Sequence, residues 1–187
     1  VVSVFEDRDG YLWFGTFVGV SRYDSDTGIF TNFGTDDGLA GPWVIDIAQD
    51  GDGNLWFCSG DYTNTGKGVT RYDGQSFIVF DEKDGMFYHN AAMVLVDNEN
   101  ILWFSGRRGL TRYDGQSFTT LDFPGLPAQA GPFGDIDLNG DIWANTMGYG
   151  VLRYDGESSR IYTTEDGLAK NTVWAVFADQ EGYVWFG

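Results

Sequence analysis

The residues able to do chemistry are few and unevenly placed. His89 is the only histidine and Cys58 the only cysteine in 187 residues. A histidine-paired nucleophile or a multi-histidine metal site cannot be assembled from one imidazole. One thiol makes neither an internal disulfide nor a thiolate metal cage. Carboxylates are abundant, 28 Asp plus Glu against 11 Lys plus Arg, yet spacing singles out no pair for acid–base work. The resulting net charge of −17 repels phosphate backbones, so nucleic acid is not an expected partner. No glycine-rich phosphate loop opens a helix.

Binding chemistry is better represented than catalysis. Irregular segments carry Trp43, Tyr62, Asn64, Lys67, Tyr88, His89, Arg107, Arg108, Tyr149 and Asn171. These supply aromatic platforms beside amide and cationic donors, a combination suited to a sugar ring and its hydroxyls. Arg107 and Arg108 are adjacent cations in an acidic chain and could instead anchor a carboxylate. Taken singly, each of these residues is also an ordinary loop residue.

The acidic turns invite a metal test. Asp135 to Gly140 reads Asp-x-Asp-x-Asn-Gly, the opening of a calcium loop, but Thr146 falls where the closing bidentate carboxylate belongs. Asp at the start of a hairpin explains the whole set without a cation, so neither metal nor cofactor is expected.

What positions all of these is repetition. Arg-Tyr-Asp recurs at 22–24, 71–73, 112–114 and 153–155, and a Trp follows a short turn at 13, 56, 103, 143 and 185. The tryptophan intervals are 43, 47, 40 and 42 residues, the length of a four-stranded propeller blade. Each unit reads as an apolar first strand, an Asp-initiated hairpin such as Asp50 to Gly53, and a second strand carrying the Trp. A third strand ends in Arg-Tyr-Asp, a short fourth follows, and a connector such as Asp37-Gly38-Leu39 leads on. Runs such as Leu55-Trp56-Phe57 are apolar at consecutive positions, which requires cover on both faces. Stacked blades meet that requirement, and almost no helix is expected.

The predicted fold is therefore an all-β β-propeller of four complete four-stranded blades plus the first half of a fifth. The blades fall at about 1–34, 43–80, 91–121 and 131–163, with a partial one at 172–187. Residues 1–15 and 173–187 agree at 9 of 15 positions, so the chain reads as a fragment of a larger propeller. A closed four-bladed ring with a redundant half-blade is the competing arrangement. An unclosed arc would expose apolar blade faces and self-associate through them. The repeated Trp residues, Trp185 included, and the repeated Tyr residues are expected to be buried between blades, with the Arg and Asp of each triplet paired to each other or to a neighbouring blade.

These residues together resemble the two-component regulator propeller repeat, whose consensus runs Asp-x-x-Gly-x-Leu-Trp-hydrophobic-Gly-Thr, then Gly-Gly-hydrophobic-x-Arg-Tyr-Asp. Asp7, Gly10, Leu12, Trp13, Gly15, Thr16, Gly19, Arg22, Tyr23 and Asp24 match it in one unit. Later units depart from it: Gly15 becomes Cys58, Ser105 and Asn145, and Ala144 follows the Trp of the fourth. The resemblance implies a periplasmic or extracellular, non-enzymatic sensor segment of a signal-transduction receptor such as a hybrid histidine kinase. An oligosaccharide is the implied class of ligand, and the neighbouring blades or domains of the same longer chain are the implied partners. A protein-interaction propeller without a small ligand is the alternative, and a propeller lyase or hydrolase a more distant one.

Overall fold

The computed structural model describes residues 1–60, 68–86, 91–106, 109–123, 134–146 and 148–187. Among the described residues every regular element is a strand, apart from two single 3-10 turns, Thr35–Asp37 and Glu82–Asp84, which lie in the connectors after the first two blades.

The first blade comprises β1 (Ser3–Glu6), β2 (Leu12–Thr16), β3 (Gly19–Asp24) and β4 (Ile29–Phe33). The second comprises β5 (Val44–Gln49), β6 (Leu55–Ser59), β7 (Val69–Tyr72) and β8 (Phe77–Phe80). In the third are β9 (Met93–Val96), β10 (Leu102–Gly106), β11 (Gly109–Tyr113) and β12 (Phe118–Asp122). The fourth holds β13 (Gly134–Ile136), β14 (Ile142–Asn145), β15 (Val151–Tyr154) and β16 (Ser159–Tyr162). A two-stranded sheet, β17 (Val176–Ala178) and β18 (Val184–Phe186), opens a fifth. Each full sheet is an antiparallel meander in sequence order, as hairpin-length connections dictate.

The units radiate rather than coil. First strands of successive blades lie side by side, β1 by β5, β5 by β9, β9 by β13 and β13 by β17. Two carboxylates join that innermost layer. Asp46 Oδ2 accepts from the Val94 amide at 2.9 Å, and Asp135 Oδ2 accepts from the Ala178 amide at 2.9 Å. An inner strand has one edge without a sheet partner, and a side-chain acceptor from the adjoining blade satisfies one amide there. Asp135 thus faces the next blade, not the interior of a cation loop.

Every residue of β6 is buried, as its unbroken apolar run requires. The seams explain why. Trp13 lies 5.6 Å from Phe57 and 5.9 Å from Tyr72, centroid to centroid, both on the second blade. Trp56 meets Phe104 at 5.8 Å and Tyr113 at 5.3 Å on the third. Trp103 meets Tyr154 at 5.9 Å on the fourth. Trp56 is 1% and Trp103 7% exposed. Tyr23 meets Phe30 of its own blade at 4.7 Å, as Tyr72 meets Phe77, and is half-buried.

Two expectations need correction. Trp185 is 60% exposed and Trp143 half-buried: a Tyr of the adjoining blade covers Trp13, Trp56 and Trp103, and among the described residues none covers these two. The Asp of each triplet is chiefly a turn cap. Asp73 Oδ1 accepts from the Gln75 and Ser76 amides, and Asp114 and Asp155 do likewise in their own hairpins. Arg112 does reach Asp114, at 3.3 Å, whereas Arg153 turns to Asp141 at 2.5 Å and Arg22 lies over the ring of Tyr11.

Gly68 shows why the third strand opens on glycine. Its φ is +115°, and a Cβ would fall on the carbonyl oxygen of Phe80 in the adjoining strand. Gly19, Gly109 and Gly150 repeat that approach.

Candidate functional site

The strands expose two ends. One carries the hairpins between first and second strands and between third and fourth. The other carries the turns between second and third strands together with the connectors between blades. Chemistry available to a ligand depends on which side chains are already engaged at each end.

At the hairpin end the acidic turns are fully engaged. Asp50 Oδ1 accepts from the Asp52 amide at 3.0 Å and the Asn54 amide at 2.8 Å, while Oδ2 accepts from the indole Nε1 of Trp56 at 2.8 Å. Asp7, Asp97, Asp137 and Asp179 make the same three bonds, to Trp13, Trp103, Trp143 and Trp185 respectively. These oxygens face N–H donors, the opposite of what a cation requires. Among the described residues no group of three or more His, Cys, Asp or Glu could hold a metal ion.

At the connector end the side chains differ from blade to blade. Phe17, in the turn between β2 and β3, stands 55% exposed, and Val18 beside it is exposed as well. Phe17 meets Trp43 edge-on, ring centroids 4.9 Å apart. Trp43 lies in the connector from the first blade to the second, and its carbonyl accepts from the Gly60 amide at 3.0 Å. A turn and a connector therefore share one aromatic pair, Phe17 exposed and Trp43 half-buried.

The corresponding segment of the fourth blade holds Tyr149, which is 53% exposed. Its turn is tied to the following connector, for the Gly150 amide donates to the Asn171 carbonyl at 2.9 Å. Asn171 Oδ1 accepts from the Thr164 amide at 2.7 Å, so that oxygen holds the connector in place. Asn145 Nδ2 donates to the Val173 carbonyl at 2.9 Å and does the same from inside.

Of the residues singled out by sequence, Trp43, Tyr149 and Asn171 are therefore placed at this end, Tyr149 beside Asn171 and Trp43 beside Phe17. Tyr62, Asn64, Lys67, Tyr88, His89, Arg107 and Arg108 lie outside the described residues. Sequence reasoning missed Phe17 and Val18. Their signal was two large apolar residues inside a two-residue hairpin turn, where small or polar residues are usual.

Two inward groups have shifted acidities. Burial beside the second blade's first strand pushes the Asp46 carboxyl up to about 6, against the opposing pull of the Val94 and Ile47 amides. Burial also pushes the Cys58 thiol well above its ordinary value, helped by the charge of Asp46, so Cys58 is inert packing and no nucleophile.

The two component regulator propeller model matches residues 1–17 and 38–61, the opening strand pairs of the first two blades. Those two segments are similar to the two-component regulator propeller repeat. No curated protein matches its sequence. Among solved structures, the repeats superpose on the extracellular domain assigned to a hybrid two-component system of B. thetaiotaomicron, BT3049, with a TM-score of 0.82 and 21% identity. That match covers 99% of this chain and 26% of the other. The extracellular domain of BT4673 from the same organism matches with a TM-score of 0.76 and 22% identity, over 95% of this chain and 24% of that one. Virginiamycin B lyase from Staphylococcus aureus matches with a TM-score of 0.74 and 18% identity, over 98% of this chain and 61% of the lyase. At these identities the likeness shows the propeller fold. The repeats span about a quarter of the length of the two extracellular domains. No helix among the described residues is long and apolar enough to cross a membrane.

Proposed function

We propose that the chain is a non-enzymatic ligand-sensing segment of an extracytoplasmic signalling receptor, periplasmic or extracellular, and that it binds a small polar ligand of the oligosaccharide class at its connector end. The observation that carries this reading is the pair Phe17 and Trp43, with exposed Tyr149 on the same end. Trp13, Trp56 and Trp103 vanish into seams, whereas Phe17 and Tyr149 are exposed and Trp43 is half-buried, and an aromatic face beside amides stacks a sugar ring. The extracellular sensor domains that share the fold support the setting.

A non-enzymatic role agrees with the titratable groups. A virginiamycin B lyase in which one histidine is replaced by alanine is described as catalytically inactive. The chain has one histidine, His89, so no pair of imidazoles can be built within it.

Calorimetric titration of a complete propeller containing this chain, against neutral and acidic oligosaccharides, tests the proposal. Binding is expected, and alanine at Trp43 or Tyr149 should weaken it about tenfold, the worth of one stacking contact of roughly 1.4 kcal/mol. Arg107→Ala should weaken binding of acidic sugars most. Silence toward every sugar would leave the second reading, a protein-docking end, which exposed Phe17 and Val18 favour. The faces left open at the first blade and the partial fifth, marked by Phe30 and Trp185, would receive neighbouring blades of the same longer chain, or self-associate in their absence.

A further inference from the structure

Successive seams are built to one plan, and the third departs from it. In the first seam Phe33 of β4 meets Phe77 of β8 at 5.4 Å, and Phe77 stacks on Tyr72 at 4.4 Å with planes 24° apart. In the second seam Phe80 of β8 meets Phe118 of β12 at 5.5 Å, and Phe118 stacks on Tyr113 at 4.4 Å with planes 29° apart. Strand register fixes the equivalent positions in the third seam. Leu121 pairs with Leu110 as Phe80 pairs with Val69, and Ser159 pairs with Tyr154 as Phe118 pairs with Tyr113.

Two phenyl rings are thus missing where the third blade meets the fourth. Deeper in that seam the third blade's own Phe123 repairs the packing, lying 5.4 Å from Tyr154. Among the described residues nothing repairs the outer part. A cavity of about 260 Å³ opens there, bounded by Trp103, Arg112 and Leu121 on one blade and by Ile142, Tyr154 and Asp155 on the other. Trp103 is its buried floor and half-buried Tyr154 its wall, while exposed Glu99 and Asp155 stand at its mouth.

We propose that this seam is a second binding site, distinct from the connector end, which accepts one planar aromatic ring bearing a cationic amine. The ring would take the place of the absent Phe on Tyr154, restoring the stack that Tyr72 and Tyr113 already have. Apolar cavities of about 150 Å³ admit a benzene ring, so this one has room for a ring and a short arm. Charge selects the arm. Among the described residues Asp97, Glu99 and Asp155 line the cavity against a single cation, Arg112, which is held 3.3 Å from Asp114. Asp155 is ionised throughout the neutral range, its carboxyl held down to about 2 by the Ser158 and Glu157 amides. An anionic arm would meet net negative charge at the mouth.

The test is titration of the full chain with benzylamine, followed by calorimetry and by the shift of the Trp103 indole N–H resonance. Phenylacetate serves as the anionic control. Benzylamine should bind and move the Trp103 signal, and phenylacetate should bind at least tenfold more weakly. Ser159→Phe supplies the missing ring from the chain itself and should weaken benzylamine binding at least tenfold without lowering the unfolding midpoint. Should that variant fold poorly, Leu121→Phe fills the same space from the other blade and carries the same expectation. Absence of benzylamine binding to the unaltered chain, equal binding to the filled variants, or binding of phenylacetate as tight as that of benzylamine would each overturn the proposal. Oligosaccharide binding at the connector end is read separately, since Trp43→Ala should leave the benzylamine titration unchanged.

Discussion

The indole Nε1 of Trp56 donates to Oδ2 of Asp50 at 2.8 Å, six residues back across a hairpin, and the same bond recurs in every blade. One carboxylate thereby does two tasks. Its first oxygen caps the turn, and its second satisfies the only polar group of the ring that fills the next seam. Burying an indole whose N–H lacked an acceptor would cost much of what its apolar area contributes.

Asp50→Ala should therefore destabilise the fold by about 2–3 kcal/mol, since it strands a buried donor and uncaps a turn. Urea denaturation of Asp50→Ala, Trp56→Phe and the double variant gives the coupling. Strictly additive losses would mean that the bond contributes nothing beyond the separate roles of the two residues.

Tyr113→Ala and Trp56→Ala should each cost about 3–5 kcal/mol, because each empties a packed seam between the second and third blades. Trp185→Ala should cost under 1 kcal/mol in this chain, as that ring is mostly solvated. Thermal unfolding compares the three, and equal losses at Trp56 and Trp185 would contradict the seam account.

Asp46 makes stability depend on pH in a predictable direction. Its carboxyl titrates near 6 in the folded chain, above the ordinary value of 3.8, so the folded state binds the proton more tightly than the unfolded state. The contribution of this group is most favourable below about pH 4 and diminishes as pH rises through 6, by at most roughly 1.4 kcal/mol per pH unit. Asp46→Asn keeps an acceptor for the Val94 amide and removes the charge. Its stability relative to the unaltered chain should increase from pH 4 to pH 7, and a flat difference across that window would show that the carboxyl is not shifted.

Gly68→Ala and Gly74→Ala separate two penalties of glycine replacement. Both residues have positive φ, +115° and +94°, but a Cβ at Gly74 meets nothing within 4 Å while one at Gly68 meets the Phe80 carbonyl. Gly74→Ala should cost about 1 kcal/mol and Gly68→Ala at least twice that, or prevent folding. Similar denaturation midpoints for the two would show that β7 and β8 can separate at little cost.

Repeats made most of the architecture legible. The recurrence of Trp56 and Trp103, of Tyr72 and Tyr113, and of the Asp before each Trp reflects one packing problem solved several times, and a chain that repeats the residues repeats the solution. Trp185 holds an intact repeat position, yet among the described residues no ring of another blade covers it. Trp43 and Tyr149 stood out as irregular aromatics. Phe17 did not, since only the folded chain brings a turn of the first blade against the connector that holds Trp43.

By itself the sequence determined the unit: its length, its four strands, its turn chemistry and the residues destined for seams, all set by local spacing and hydrophobicity. The tertiary structure decided what happens between units. It brought Leu121 and Tyr154 to line one cavity across a seam, drew Asp46 to the Val94 amide, and set Phe17 against Trp43. Contacts between residues some 26 to 48 positions apart depend on how one sheet is turned against the next, and no periodicity along the chain encodes that angle.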